Sequence, residues 1–389
     1  HAIIICMHRG MNRSTPKTSC HTLFLLLPAA LLCYAACTMH PREANAASER
    51  GEDTTRKEAR LVFAGDLMQH MPQVRAAQRG NGHFDYSECF RYVKPLFEQA
   101  DYAILNFETT LTPTTDYHGF PTFRSPGAVA DALRDIGIDA VVLANNHICD
   151  NGRTGIEYTT QRFDSLRIVH TGAFVDSSRI RAEHPLLFRA GGLRFALFNY
   201  TYDTNGLPVP KGMIVNLIDT NAIRRDLSSV NRKDIDCVIV FFHWGVEYVR
   251  RPNDEQRRLA ALCHQLGAEI VIGSHPHVIQ PVETQRDNEG IVRSVTAYSL
   301  GNLVSNQKER YRNGGLIVTL DIVKQGRKLR ITPHYTPGFV DRPRGYRILP
   351  PAVADTLPLP TEQRNLSRQF YDDTRALLEG NKIFKERIQ

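Results

Sequence analysis

The stretch Glu269-Ile-Val-Ile-Gly-Ser-His-Pro-His277 places a short apolar run, typical of a buried β-strand, directly before two histidines. Five other apolar runs along the chain also end in a short polar cluster. The six clusters are, in chain order, Gly65-Asp66, Asn106-Phe107-Glu108, Asn145-Asn146-His147, His243-Trp244-Gly245, His275-Pro276-His277 and Ser299-Leu300-Gly301-Asn302. Because ligands of open α/β sheets gather at the carboxyl ends of the strands, the pattern predicts a single site at one sheet edge.

Strand-like runs alternate with helical patterns, which indicates an α/β fold. The six runs before the clusters are Arg60–Ala64, Tyr102–Leu105, Ala140–Ala144, Cys237–Phe242, Glu269–Ile272 and Val295–Tyr298. Leu186–Phe188 and Phe195–Tyr200 flank two glycines and predict a hairpin, and Leu316–Val323 predicts an antiparallel strand. Parallel and antiparallel strands between helical layers predict a four-layer α/β/β/α sandwich with mixed sheets.

The N-terminal segment has the features of a secretory leader. A basic region precedes the apolar stretch Leu23–Leu32, which is too short to span a membrane. Ala35 and Ala36 stand before Cys37, which favours a lipoprotein-type signal peptide over residues 1–37 and a periplasmic or outer-surface protein held to the membrane by a lipid anchor. Cleavage near residues 44–46, giving a soluble periplasmic protein, is the alternative.

The rest of the chain divides into three segments by composition. Residues 38–59 are polar, charged and short of large apolar side chains, which is typical of a flexible tether. The clusters all lie within residues 60–323, which are predicted to form the main domain. Residues 324–389 form a C-terminal extension, in which Thr361–Glu379 predicts a terminal helix.

The charge balance gives no reason to expect a nucleic-acid partner. The formal net charge of +7 falls by three, to +4, without the leader residues Arg9, Arg13 and Lys17, and the remaining charges are dispersed. Such a balance would tolerate an anionic substrate without demonstrating one.

The clusters carry the donor types of a divalent-metal site. The expected ligands are Asp66, Glu108, Asn146, His243, His275 and His277. Their carboxylate, amide and imidazole groups suit one or two zinc, manganese or iron ions. In an extended segment His275 and His277 would point in alternate directions, so they could face two metals around one bridging group. Two cations about 3.5–4 Å apart would polarise a substrate oxygen and generate a hydroxide nucleophile.

A proton donor and substrate contacts complete the expected site. His147, next to Asn146, is placed to protonate the leaving group as general acid, and Asp150 could orient it. Trp244 could form a wall of the substrate site, although packing is the default role of the single tryptophan. Glu247 could support His243 or be a surface carboxylate, and Asn302 could contact substrate or simply take a turn conformation.

Two of the polar residues have structural alternatives. Asp66 after a strand could be a helix N-cap. Asn145 is expected to be structural, which leaves Asn146 as the better ligand.

At these residues the chain resembles the capsule-synthesis protein CapA family, associated with poly-γ-glutamate, which is itself similar to the calcineurin-like metallophosphatases. The matching stretches are Val62-Phe-Ala-Gly-Asp66, Leu105-Asn-Phe-Glu-Thr109, Leu143-Ala-Asn-Asn-His-Ile-Cys-Asp150, His243-Trp-Gly-Val-Glu-Tyr248, Gly273-Ser-His-Pro-His-Val-Ile-Gln-Pro281 and Tyr298-Ser-Leu-Gly-Asn302. They cover about residues 60–322 in the expected order. Thr204-Asn-Gly206 also looks like a loop beside the site in such proteins, which adds Asn205 to the expected substrate contacts.

The resemblance implies an exported, metal-dependent hydrolase that acts in the synthesis, release or anchoring of a poly-γ-glutamate-type capsule polymer. Metal-bound hydroxide would attack an amide or phosphoester, and the partner would be an anionic polymer or a small anionic substrate. Two residues depart from the metallophosphatase pattern, because Met68 replaces the histidine of Asp-x-His and Glu108 replaces an aspartate. A non-catalytic polymer-binding accessory protein of capsule export and a phosphomonoesterase therefore remain alternatives.

Overall fold

The computed structural model describes residues 55–387. The predicted signal peptide, and the predicted tether up to residue 54, lie outside the described residues. Strands and helices alternate along the described chain, as the sequence pattern predicts. Within residues 55–387, no helix combines the length and the apolar character needed to cross a membrane.

The strands are β1 (Arg56–Leu67), β2 (Tyr102–Phe107), β3 (Thr110–Thr112), β4 (Arg124–Pro126), β5 (Ala140–Val142), β6 (Val169–Thr171), β7 (Ala173–Phe174), β8 (Leu186–Ala190), β9 (Leu193–Thr201), β10 (Ile214–Val215), β11 (Cys237–His243), β12 (Ile270–Ser274), β13 (Val282–Arg286), β14 (Val292–Ala297), β15 (Asn302–Val304), β16 (Gly314–Gln325), β17 (Lys328–Asp341), β18 (Arg347–Leu349) and β19 (Lys385–Glu386). All six predicted runs and the predicted hairpin, which is β8 and β9, are present.

The α-helices are α1 (Met71–Ala77), α2 (Ser87–Phe90), α3 (Lys94–Glu98), α4 (Ala128–Asp135), α5 (Gly152–Leu166), α6 (Ser177–Glu183), α7 (Thr220–Ser228), α8 (Asp254–Gln265), α9 (Pro351–Thr356) and α10 (Thr361–Leu378). Local sequence explains their ends. For example, α8 begins at a capping box. The Asn253 side chain accepts a hydrogen bond from the Gln256 backbone N–H, and the Gln256 side chain accepts one from the Asn253 backbone N–H. Its buried face, which includes Leu259 and Cys263, packs on the neighbouring sheet.

Two large sheets form the centre of the fold. The larger has the order β18-β17-β16-β1-β2-β5-β6, with β15 beside β1 and β19 beside β17. Within it β1, β2, β5 and β6 are parallel, whereas β16, β17 and β18 are antiparallel. The smaller has the order β13-β14-β12-β11-β9-β8. Its inner strands are parallel, and its edge strands β8 and β13 are antiparallel.

Alternating side chains show that the sheets pack face to face. In β1, Phe63 belongs to an apolar cluster that also contains Phe241 of β11, whereas Val62 belongs to a second cluster under helices α2 to α5. In β11 the neighbouring Phe242 packs against α8 in a third cluster. Because both sheets bury both faces, the layers are helix, sheet, sheet and helix. The predicted α/β/β/α sandwich with mixed sheets is confirmed.

The polar clusters do not lie on one sheet edge, as the sequence analysis expected. Strands β1, β2 and β5 belong to the larger sheet, whereas β11, β12 and β14 belong to the smaller. The expectation of a single edge is wrong because periodicity identifies buried strands without saying which strands pair. The clusters nevertheless meet, since the two sheets present these strand ends on the same side.

Strands beyond residue 323 complete the larger sheet. The expected boundary falls inside β16, and β17 pairs with β16 from Gly314 opposite Phe339 to Gln325 opposite Lys328. Helix α10 ends one residue before its predicted end, and it packs Phe370 and Tyr371 into the apolar layer between the sheets. The predicted C-terminal extension therefore supplies part of the main sheet and core.

Candidate metal centre

Five buried residues form two groups of candidate metal ligands that share one carboxylate. Glu108, His243 and His275 form the first group, and Asp66, Glu108 and His277 form the second. Within each group the ligand atoms lie within 4.8 Å of one another. The carboxylates come from the larger sheet and the histidines from the smaller, so the centre bridges the two sheets. His275 and His277 fall in different groups around Glu108, which is the arrangement expected for a bridging group between two metals.

The His-Pro-His segment is bent rather than extended. His275 has φ 95° and His277 has φ 55°, a region that non-glycine residues rarely adopt. Asp66 stabilises this conformation, because its Oδ2 accepts from the His275 backbone at 3.3 Å and lies 3.0 Å from His277 Nδ1. Strained backbone of this kind concentrates at functional sites. The alternate directions of the two imidazoles therefore arise from a turn, not from strand alternation.

Asp66 belongs to this centre and does not cap a helix. The residue before helix α1 is His70, and Asp66 is the penultimate residue of β1. Asn106 donates to Asp66 Oδ1 at 2.8 Å and lies 3.2 Å from His243 Nδ1, so it joins one ligand from each sheet. Asn106 was not predicted as a site residue, although it stands in the same sequence cluster as Glu108.

Burial sets the charges of the candidate ligands. It raises the pKa of Glu108 well above its usual range, and the nearby Asp66 carboxylate raises it further. Burial and the neighbouring His275 lower the pKa of His243 well below its usual range. Burial, together with His277, lowers the pKa of His275 to about 3. The imidazoles of His243 and His275 are therefore neutral at physiological pH, which is the form that binds metals.

The donor set fits divalent cations. Glu108 Oε1 and His275 Nδ1 are buried and have no hydrogen-bond partner among the described residues. Buried polar atoms are almost always satisfied, and a cation would satisfy both of these. Mixed carboxylate and imidazole donors suit zinc, manganese or iron. The residues present therefore fit one or two divalent ions, with Glu108 shared between them.

Asn146 lies beside the first group. Its Oδ1 is 2.9 Å from His243 Nε2, and its Nδ2 donates to Asn205 Oδ1 at 3.1 Å. Asn205 is exposed, with φ 52°, and it forms part of the rim next to the metal-ligand candidates. Asn146 is thus positioned as an additional oxygen donor near His243, and Asn205 is accessible to a ligand.

His147 and Asp150 form a buried pair at the site. His147 Nδ1 lies 2.7 Å from Asp150 Oδ2, and the same oxygen accepts from the Phe123 backbone at 2.6 Å. The Phe123 ring packs edge-on against His147 at 4.6 Å. His147 is close enough for its charge to lower the pKa of His243 and His275. Asp150 therefore orients His147 as expected. Phe123 also belongs to the site, but nothing in the sequence around it indicated this.

Asn145 has the structural role that the sequence analysis expected. Its Nδ2 donates to the Phe107 carbonyl at 2.9 Å, and its Oδ1 accepts from the His147 backbone at 3.1 Å. These bonds join the ends of β2 and β5, and they hold the segment that carries His147.

The expectation that Trp244 contacts substrate is wrong. Its side chain is 1% exposed, and its Nε1 donates to the Tyr298 carbonyl at 2.8 Å. Its ring stacks on Phe242 at 4.3 Å, within the apolar cluster under α8. Trp244 comes two residues after Phe242, so its ring lies on the same face of the smaller sheet, the face that packs against α8. Trp244 therefore has a packing role, which is the default role of a single tryptophan.

The other two expected substrate contacts take different positions. Asn302 is fully buried, with its Oδ1 3.1 Å from His277 Nδ1, so it holds a metal-ligand candidate. The turn conformation belongs to Gly301, which has φ 68°. Glu247 is half-buried, and its charge raises the pKa of Glu108. Glu247 therefore lies near the centre without belonging to either group.

Met68 takes no part in the centre. It is 2% exposed, and its carbonyl accepts from Gln73 Nε2 at 2.8 Å. His70 lies 3.2 Å from Gln73 Oε1, and burial lowers its pKa to about 4. Neither residue belongs to the two groups, so both groups form without the histidine that Met68 replaces.

Comparisons with known proteins identify a family match and relatives. The family model described as bacterial capsule synthesis protein PGA_cap matches residues 60–307. The PGA biosynthesis protein CapA of Bacillus subtilis (strain 168) is 28% identical over 283 residues, which cover 70% of this chain and 70% of that protein. The capsule biosynthesis protein CapA of Bacillus anthracis is 25% identical over 311 residues, which cover 76% of this chain and 71% of that protein.

Similarity to a solved structure is more distant. The NAD nucleotidase NadN of Haemophilus influenzae has a TM-score of 0.46 and 11% sequence identity. The match covers 85% of this chain and 57% of that one, so this chain spans little more than half of that protein. A similarity at this level carries no argument about activity.

Proposed function

The chain belongs to the bacterial capsule synthesis protein family PGA_cap, and from this premise we propose that it is a metal-dependent hydrolase of capsule metabolism. The observation that carries the proposal is the pair of ligand groups joined by Glu108. Two buried carboxylates beside three histidines favour a bound cation, because burying such charges without one is costly, and a bound cation is what metal-dependent hydrolysis needs.

The residues have separable roles in this mechanism. Divalent cations held by the two groups would supply Lewis acidity toward a carbonyl or phosphoryl oxygen of the substrate. His147 holds the proton that the leaving group needs, and Asp150 fixes the imidazole so that Nε2 faces away from the Asp150 carboxylate. Asn106 and Asn302 hold Asp66 and His277 in place, and Asn205 is exposed at the rim, where it can contact substrate.

The substrate that fits this reading is a poly-γ-glutamate-type polymer. The Bacillus subtilis relative is named for PGA biosynthesis, and the Bacillus anthracis relative for capsule biosynthesis. These names support a location outside the cytoplasm, and we propose attachment to the membrane through lipidated Cys37, which follows Ala35 and Ala36. It would act there on an anionic polymer, or a small anionic fragment of it, in synthesis, release or anchoring.

Metal content measured by elemental analysis tests the proposal. The wild-type protein should hold up to two equivalents of zinc, manganese or iron. His275→Ala and His277→Ala should each lose the ion of one group, and Glu108→Gln should lose both because Glu108 belongs to each. His118→Ala is the control, since His118 is an exposed histidine paired with Asp116 and should leave the metal content unchanged.

Substrate screens then separate the remaining readings. Hydrolysis of γ-glutamyl amides without phosphoesters supports the proposal, and the opposite selectivity makes the protein a phosphomonoesterase. A wild-type protein that holds no metal after reloading with each of the three ions would refute the hydrolase mechanism. The non-catalytic polymer-binding accessory role would then account for the family membership.

A further inference from the structure

A stacked arginine lies on the rim of the metal centre and has no role in the mechanism above. The guanidinium carbon of Arg312 lies 3.4 Å from the centre of the Tyr248 ring. That ring centre is 6.1 Å from the imidazole centre of His277. A single tyrosine ring therefore connects Arg312 to a metal-ligand candidate. Tyr248 is 39% exposed, so this part of the rim faces solvent.

The backbone of Arg312 is also tied to the centre. Asn302 donates from Nδ2 to the Arg312 carbonyl at 2.8 Å, and its Oδ1 lies 3.1 Å from His277 Nδ1. Both ends of Arg312 are therefore fixed relative to His277, through Tyr248 at the side chain and Asn302 at the backbone. Stacking on an aromatic face orients a guanidinium while its N–H groups remain available in the plane.

Neighbouring arginines on the same rim already have partners. Arg310 binds the Asp373 carboxylate of helix α10 through two bonds, of 2.8 and 2.7 Å. Arg250 donates to the Asp373 carbonyl at 2.9 Å, and it stacks on Tyr311 at 4.0 Å. These contacts fasten the loops beside the site to α10. Arg310 and Arg250 therefore have structural roles, unlike Arg312.

Arg312 has only a weak acidic partner. Within residues 55–387 its one ion-pair contact is Glu309, at 3.6 Å, and the Glu309 side chain is 51% exposed. A pair at that distance with a half-exposed carboxylate contributes little to stability, so a ligand carboxylate could displace Glu309; the Arg312 side chain itself is 28% exposed. The planar guanidinium presents paired N–H donors that match the two oxygens of a carboxylate.

We propose that Arg312, stacked on Tyr248, binds the α-carboxylate of a γ-linked glutamyl unit at the metal centre. The assignment rests on the proposed function, because it takes γ-glutamyl polymer as the substrate. A γ-linked chain keeps a free α-carboxylate on each unit, a few bonds from the amide that is cleaved. One guanidinium, held next to His277 by the Tyr248 ring that it stacks on, can therefore fix the register of the polymer, so that an amide reaches the metal ligands.

Calorimetric titration with a γ-linked glutamate decamer tests this assignment. The matched probe is the same decamer with every α-carboxylate converted to an amide, and inorganic phosphate is the third probe. The proteins are the wild type, Arg312→Ala, Arg312→Lys and the control Arg330→Ala. Arg330 is an exposed arginine on β17, so the control removes an equal charge from another surface. Metal content, measured for each protein, reports on the integrity of the centre.

The expected result is a carboxylate preference that depends on Arg312. Arg312→Ala should bind the decamer about 10- to 100-fold more weakly than Arg330→Ala, because a charge-assisted bond is lost. Arg312→Lys should fall between them, since lysine keeps the charge without the paired donors. The wild type should bind the amidated decamer about as weakly as Arg312→Ala binds the charged one.

Several results would overturn the assignment. They are equal binding of charged and amidated decamers by the wild type, equal binding of the decamer by Arg312→Ala and Arg330→Ala, and Arg312-dependent binding of phosphate without binding of the decamer. The outcome is separable from that of the hydrolase proposal. Arg312-dependent binding in a protein without metal or turnover refutes only the hydrolase, whereas a metal-loaded hydrolase unaffected by Arg312→Ala refutes only this assignment.

Discussion

Replacing Glu108 by glutamine should stabilise the metal-free protein and abolish its metal binding. Glu108 is fully buried, its Oε1 has no hydrogen-bond partner among the described residues, and Asp66 lies beside it. Burial and the Asp66 charge raise the pKa of Glu108. The folded protein therefore retains a proton that the unfolded chain releases near the ordinary value of 4.5, and the carboxylate costs stability as the pH rises above that value.

The expected gain follows from the cost of an uncompensated buried group. An unsatisfied buried polar group costs about 1–3 kcal/mol, and a charged one costs more. A glutamine amide removes the charge and can donate to Asp66, so the free energy of unfolding of the metal-free variant should exceed that of the wild type by about 1–3 kcal/mol at pH 8. Below pH 4.5 the difference should vanish, because Glu108 is then protonated in both the folded and the unfolded state.

Saturating metal should reverse the order of the two proteins. A ligand present at 1,000 times its dissociation constant adds about 4.1 kcal/mol to the stability of the protein that binds it. The wild type would gain this amount, whereas Glu108→Gln lacks the carboxylate that both groups share. Urea denaturation with EDTA, and then with zinc or manganese, measures both stabilities, and the same pair of curves at pH 4.5 and pH 8 tests the proton linkage.

Asp236→Asn is the control for the change from carboxylate to amide. Asp236 is also buried, and although burial opposes ionisation, Arg194 and Lys324 lower its pKa to about 2. This variant should lose about 1–3 kcal/mol at pH 8, because an ionised partner of two cations is removed. The reasoning is refuted if metal-free Glu108→Gln is no more stable than the wild type at pH 8, or if its advantage is independent of pH.

Two other predictions concern the general acid and the packing beneath the centre. Asp150→Asn should lower the turnover of a hydrolysed substrate by about 100- to 10,000-fold, because His147 loses its orienting carboxylate; metal content should stay unchanged, and a loss of metal would instead make Asp150 part of the centre. Gly273→Ala would place a Cβ 2.0 Å from the Tyr298 carbonyl oxygen and 2.4 Å from Trp244 Nε1, so urea denaturation should show a loss of about 1–3 kcal/mol. Gly80→Ala, with no atom within 4 Å, is the control, and equal stability of the two variants would contradict the predicted clash.

The sequence was sufficient to predict the layers of the fold because buried strands and amphipathic helices leave different periodicities. Strands such as β11 are apolar on both faces, which indicates a sheet covered on both sides. The pattern does not encode strand order, so it could not show that β2 and β11 lie in different sheets. Strand β17 was also not identified, since its prolines, Pro333 and Pro337, interrupt the strand pattern.

Five of the six expected metal ligands could be picked from the sequence, whereas the geometry of the site and most of the expected substrate contacts could not. Carboxylates and histidines after strands identify the donors, and these donors do come together. The positive φ of His275 and His277 could not be predicted from residue type, because histidine, although enriched there, adopts positive φ in only a small fraction of cases. The burial of Trp244 depends on which face of the smaller sheet is covered by α8, and that is a property of the assembled layers.

Met68, which departs from the metallophosphatase pattern that the sequence resembles, has a smaller effect on the candidate centre than that departure suggested. The second ligand group has three candidate ligands without residue 68, because the bend at His277 brings its imidazole to Asp66 and Glu108. Glu108 belongs to both groups, and burial makes its negative charge costly. An ion bound in either group would offset that charge. Binding of the first ion should therefore contribute most of the free energy that orders the centre. The two sheets that supply the ligands are already joined by an apolar layer, so metal binding completes the site rather than the fold.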